Sequence, residues 1–180
     1  MTTLLFPDNT VLVNFALVGR IDLFADLVRD RGAWTYTVSE ECRRGANVLG
    51  QESLDRIPGI LGSPLMASAR ERIDALALRR RLAAPGDSET KHYGEAECLA
   101  IILCRGEPAA FVTDDLGARR LSRALNVKTY STWDLIRLAV RAGLLDELAG
   151  WDMVLVLRAK LRKIPGSPGT EGDYLAAVRR

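Results

Sequence analysis

Histidine and cysteine are scarce in this chain, and their scarcity removes whole classes of chemistry. His92 is the only histidine, so there is no histidine cluster to hold a metal ion. The three cysteines, Cys42, Cys98 and Cys104, are odd in number and contain no C-x-x-C. They read as reduced, mostly buried thiols of a cytoplasmic protein rather than as bridges or a zinc site. No apolar run approaches the roughly 20 residues needed to span a bilayer. The opening MTTLLFPD has no basic stretch before its Asp, so neither a membrane anchor nor a signal peptide is expected. A strong excess of one charge is also missing, the net being only +2. What imbalance there is sits at the end: residues 151–180 carry six bases against three acids, leaving the first 150 residues at −1. A basic tail of this kind suits a polyanion or an acidic partner, although solvated tails are often basic.

What the chain does have is apolar bulk and a regular alternation of elements. At 180 residues, 48% apolar and 27% charged, it is long enough for one domain with a real core. Leu4-Leu5-Phe6 reads as a strand ended by Pro7 and followed at once by Asp8. Asn9 or Thr10 is placed to cap a helix with Val11, Leu12, Phe15 and Val18 on its apolar face. A second amphipathic stretch, Arg20–Arg29, is closed by Gly32. Trp34–Val38, rich in aromatic and β-branched residues, reads as a strand, with Ser39 capping a helix that opens Glu40-Glu41.

Residues 51–64 are broken by Pro and Gly and read as irregular. Met66–Leu82 reads as a helix with Ile73, Leu76 and Leu78 inside, and Gly94–Cys104 as a helix apolar nearly all round, hence buried. Strand Ala109–Thr113, a helix to Leu125, strand Val127–Tyr130 and a helix capped by Ser131 follow. Trp151–Leu161 reads as a last strong helix with Val154, Leu155 and Leu157 inward, ahead of a Pro/Gly break and a short Tyr174–Arg180 turn. Strands alternating with helices imply an α/β fold with a parallel sheet wrapped by helices.

On that arrangement the acids fall at equivalent places. Asp8 ends a strand; Glu40/Glu41 and Glu95/Glu97 open helices; Asp114/Asp115 end a strand. In a parallel sheet these positions share one edge and can converge. Each has an ordinary explanation as well, because acids in a first helical turn are favoured by ~0.3–1 kcal/mol without any function. Glu95 and Glu97, at i and i+2, cannot both face one site from a regular helix, and of Asp114 and Asp115 one is expected to be a cap. Converging carboxylates need a cation between them, and hard oxygen donors suit Mg²⁺ or Mn²⁺. Such an ion acidifies water and stabilises the oxygens of a phosphodiester displacement, so metal-assisted phosphodiester hydrolysis is the reaction class that fits.

The segments L-L-F-P-D-N-T-V-L-V-N-F, V-S-E-E, G-E-A-E-C-L-A-I-I-L and F-V-T-D-D-L-G-A-R-R-L-S, in this order over Leu4–Ala142, resemble the PIN-domain family, among them VapC-like toxin ribonucleases. The resemblance implies a three-layer α/β/α sandwich around a mostly parallel sheet, with residues 1–150 as the nuclease domain and 151–180 as a C-terminal helix and basic tail. It implies a Mg²⁺/Mn²⁺-dependent ribonuclease whose metal ligands are Asp8, Glu41, Glu95 and Asp115, with Glu97 and Asp114 as further candidates. RNA is then the substrate, with a cognate antitoxin and a homodimer as expected partners. Thr113 would be a polar neighbour of the site, and Arg43, Arg119 and Arg120 are placed to touch RNA phosphates, along with Arg44 and Arg123. Tyr93 has the position to stack a base. Two features depart from the family pattern: Pro7, before the first acid, and everything from Trp151 onward. A non-catalytic binding module with the same fold is the rival reading. A haloacid-dehalogenase-type phosphatase is a poor one, since Thr10 stands where it needs a second Asp.

Overall fold

The computed structural model describes residues 3–180. Three strands, β1 (Leu4–Pro7), β2 (Ala109–Val112) and β3 (Lys128–Tyr130), form a parallel sheet in the order β1-β2-β3. Ten α-helices accompany it among the described residues: α1 (Asn9–Leu17), α2 (Ile21–Val28), α3 (Tyr36–Gly45), α4 (Ile57–Leu61), α5 (Ala69–Leu82), α6 (Tyr93–Arg105), α7 (Leu116–Ala124), α8 (Thr132–Arg141), α9 (Glu147–Ala159) and α10 (Glu171–Arg179). The α/β class expected from the alternation is therefore present, with a smaller sheet. No helix is long and apolar enough to cross a membrane among the described residues.

The sheet is continued by one residue past two strand ends, and that continuation builds the site edge. Asp8 N–H donates to the Val112 carbonyl at 2.9 Å, and Thr113 N–H donates to the Tyr130 carbonyl at 2.9 Å. Pro7 costs nothing here. Leu4 and Asp8 donate toward the β2 side, so backbone alternation turns the Pro7 nitrogen to the outer side of an edge strand, where no donor is required.

Several expected boundaries move. The cap of α1 is Asp8 itself, which accepts from Val11 N–H, rather than Asn9 or Thr10. Trp34–Val38 is not a strand: Thr35 caps α3, and only an isolated bridge, Thr35 to Leu65, remains of the extended pairing. Gly32 does not close α2, which ends at Arg29, held at φ 42°; Gly32 is extended and bridges Leu5. The stretch read as irregular contains a 3₁₀ turn at Glu52–Arg56 and then α4. On α5, Ala75 and Leu78 are buried, whereas Ile73 and Leu76 face outward. Leu155 on α9 is likewise exposed, and α9 begins at Glu147, four residues before Trp151. The last turn is a true helix, α10, whose Tyr174 is wholly buried between Trp133 and Trp151, with ring centroids 5.6 and 5.3 Å away. One hydrophobic cluster runs from Leu5 and Phe111 in the sheet through α6 to Tyr174 and Val178.

Candidate metal centre

The carboxyl edge of the sheet brings three acids from distant parts of the chain into one electrostatic group. Asp8 stands at the end of β1, only 2% exposed. One of its oxygens accepts from Thr10 Oγ1 at 2.5 Å and Val11 N–H at 3.2 Å, and the other from the Thr113 hydroxyl. Burial pushes its pKa up to about 7, with the Glu95 charge adding to the shift against these hydrogen bonds. Glu41 is pushed up to about 7 as well, by burial first and then by the Glu95 and Glu97 charges. Glu95, in the first turn of α6, thus acts on both. Among the described residues, neither Asp8 nor Glu41 has a Lys or Arg within salt-bridge distance.

The onset of α3 decides between Glu40 and Glu41. With the helix starting at Tyr36, Glu40 lies outward and pairs with Arg43 at 2.9 Å. Glu41, about 100° further round, lies against α6, where a Cβ on Gly94 would come within 3.2 and 3.4 Å of its two oxygens. The glycine of G-E-A-E is the space in which that carboxylate sits. Glu97 faces elsewhere on α6. It is 4% exposed and accepts from Thr37 N–H at 3.1 Å, so it anchors the open amino end of α3 while still acting on Glu41 through space.

Asp114 and Asp115 also part company. Asp114 is buried, its oxygens taken up by Asn14 Nδ2 at 2.7 Å, Thr132 N–H at 2.9 Å and the Thr132 hydroxyl. Burial raises its pKa in spite of those bonds. Asp115 caps α7 through Ala118 N–H at 2.7 Å and offers an oxygen to the cluster: one atom each of His92, Glu95 and Asp115 lie within 4.8 Å of one another. His92 sits in the left-handed region at φ 65°, with Nδ1 3.6 Å from Glu95. Three helices, α1, α6 and α7, present their amino ends here, which favours negative charge and anions.

The expected RNA contacts divide. Arg43 is tied to Glu40. Arg119 donates to the Thr113 carbonyl at 3.1 Å and so braces the site loop. Arg120 and Arg123 are exposed on α7. Thr113 is fully buried, its hydroxyl donating to Asp8 and accepting from Asp115 N–H at 3.1 Å. Arg162, one of the six bases of the tail, makes a contact that the sequence does not show. Arg162, past α9, donates to Asn14 Oδ1 at 2.6 Å and to the Thr10 carbonyl at 3.3 Å, and so supports the partners of Asp114 and Asp8 from the C-terminal segment. The charge of the tail was legible; that contact, between residues 148 apart, was not.

The donor set fits a hard divalent cation. It consists of two carboxylates, Glu95 and Asp115, and the His92 imidazole, beside Asp8 and Glu41, whose pKa values are pushed up to about 7 by burial first and then by the Glu95 charge, a repulsion that a 2+ ion would relieve. Among the described residues, the ligand atoms that lie within 4.8 Å of one another are those of His92, Glu95 and Asp115; Asp8 and Glu41 are outside that set and are linked to it by the action of the Glu95 charge. Comparison of the chain with protein-family models, with curated proteins and with solved structures returns no match in any of the three.

Proposed function

We propose that the protein is a Mg²⁺- or Mn²⁺-dependent endoribonuclease of PIN type, with Asp8, Glu41, Glu95 and Asp115 as its acidic centre. One observation carries the reading: Glu95 and Asp115, from α6 and α7, bring ligand atoms within 4.8 Å of each other and of His92, and the Glu95 charge also acts on Asp8 and Glu41, whose pKa values burial has already raised. When bound, the divalent ion supplies Lewis acidity for water and offsets charge on the phosphoryl oxygens. The chain's own contribution is orientation. Thr10 and Thr113 fix both oxygens of Asp8, Gly94 leaves room for Glu41, and Asp115 is set by its helix cap. The three helix amino ends favour an anionic phosphodiester at the same edge. The resemblance that suggests this chemistry also suggests a restraining antitoxin and a dimeric toxin as the biological setting.

The test is a Mn²⁺ titration followed by thermal unfolding, beside cleavage of a single-stranded RNA. The expected result is a metal-dependent rise in Tm and a metal-dependent cut, both lost in Asp8→Asn and in Glu95→Gln. Stabilisation by Mn²⁺ without cleavage would favour a non-catalytic binding module. No response to Mn²⁺ in either assay would overturn the metal centre itself.

A further inference from the structure

A cavity of about 690 Å³ lies beside the acidic centre rather than at it, between α3, α5 and the 89–93 segment. Glu41 is in its wall, so the cavity and the centre share a residue. Its remaining lining sets three basic side chains, Arg44, Arg79 and Arg80, beside Glu40 and Glu89. Arg79 donates to the carbonyls of Lys91 and Ser88, which latches the 88–91 segment against α5 and holds the cavity open. Arg44 spends only Nε on the protein, bonding the Glu40 carbonyl at 3.2 Å, and its charge acts favourably on Glu41. Arg80 has no protein partner among the described residues. Tyr36 is 46% exposed and Leu76 is 49% exposed, and both line this space. Two cations with free donors, an aromatic face and an apolar floor are the elements of a nucleotide subsite. A volume in the range of about 300–1,000 Å³ takes a compact group of nucleotide size. A paired helix does not fit, because its bases are not splayed.

Resting on the nuclease reading above, we infer that this cavity holds a nucleotide of single-stranded RNA flanking the scissile phosphate, its backbone phosphate on Arg44 and Arg80 and its base against Tyr36. The strand therefore passes on the α3–α5 side of the acids, away from Arg43 and Arg119, whose guanidinium groups are engaged within the protein.

The experiment uses the full chain carrying Asp8→Asn, a short fluorescein-labelled single-stranded RNA, and fluorescence polarisation over a KCl series. Arg44→Ala and Arg80→Ala are each expected to weaken binding several-fold and to lower the salt slope by about 0.7 per charge removed. Arg80→Lys retains the slope. Tyr36→Leu is expected to weaken binding about tenfold with the slope unchanged, and Tyr36→Trp to restore it. Lys160→Ala, on the exposed end of α9, controls for bulk charge. In the otherwise native enzyme, Arg80→Ala raises KM and leaves kcat and the Mn²⁺-induced Tm shift in place. If these variants bind RNA with the parent's affinity and slope while the Mn²⁺ response and cleavage persist, the subsite is overturned and the nuclease reading stands. Displacement of the RNA by a polyglutamate peptide as readily as by unlabelled RNA also overturns it, since the cavity would then be a general anion site. Loss of the Mn²⁺ response in the unmutated protein overturns the nuclease reading instead.

Discussion

At the scale of single residues, the site is governed by how burial and repulsion are balanced. Asp8 and Glu41 hold their protons up to about pH 7 in the folded chain, while the same groups release them near 3.8 and 4.5 when exposed. Between those values the folded state binds more protons than the unfolded one, so raising the pH costs stability. The metal-free protein is therefore expected to lose stability as pH climbs from about 4 to about 7, on the order of a few kcal/mol from the fully buried Asp8. Urea unfolding in EDTA reads this directly: Asp8→Asn removes part of the slope. In saturating Mn²⁺ the sign reverses, because the ion binds the deprotonated carboxylates and links stability to their ionisation. A flat or rising metal-free profile would mean the acids are not crowded as described. Thr113→Val tests the orientation of Asp8 separately. The change keeps shape, removes the hydroxyl that donates to the carboxylate, and is expected to weaken Mn²⁺ binding about tenfold, measured by calorimetry.

At the scale of elements, the decisive event is where α3 begins. Trp34–Val38 has the aromatic and β-branched content of a strand, and on local preference a strand is the fair reading. Tertiary structure overrides it in two ways. Thr35 turns its side chain onto Val38 N–H, and Glu97, 60 residues away, supplies the acceptor for Thr37 N–H. The local cap, Thr35, takes one N–H of this amino end, and Glu97 of α6 takes another. The residues alone placed acids at strand ends and helix starts but left Glu40 against Glu41, and Asp114 against Asp115, open; which of each pair faces the cluster rests on a helix phase and a cap that local sequence does not set. Most of the expected helices and all three strands of the sheet were legible for the same reason that the fourth was not, since only where apolar period and caps agree does local pattern decide. Glu97→Gln keeps the acceptor and removes the charge, so it is expected to leave α3 in place. Glu97→Ala strands a helix-end N–H in a buried site at about 1–3 kcal/mol, and lowers Mn²⁺ affinity because Glu41 shifts with the helix. Circular dichroism melts of the two variants separate these outcomes.

At the scale of the whole molecule, the last thirty residues pack into the body of the fold and reach the acidic edge through Arg162. Tyr174 brings α10 into the aromatic cluster with Trp133 and Trp151, and Arg141 caps its end by donating to the Ala177 and Val178 carbonyls. With α9 and α10 held in this way, Arg162 reaches back to α1. Because Arg can only donate, its bond to Asn14 Oδ1 fixes that amide, whose Nδ2 then points at Asp114 and Thr132. Asp114 in turn holds the amino end of α8, and its own N–H lies 3.4 Å from the Thr10 oxygen that steadies Asp8. The chain Arg162–Asn14–Asp114 thus spans three parts of the sequence and ends two hydrogen bonds, through Thr10, from Asp8. Arg162→Met is expected to cost about 1–3 kcal/mol of stability, as for a hydrogen bond to a charged donor, and also to weaken Mn²⁺ binding. Tyr174→Phe supplies the comparison. Among the described residues the buried Tyr174 hydroxyl has no hydrogen-bond partner, so its removal is expected to be neutral or slightly stabilising and to leave Mn²⁺ affinity unchanged. Should Arg162→Met lower Tm while Mn²⁺ affinity stays at the parent value, the C-terminal segment would be a packing element alone; a fall in both places it in the support of the acids.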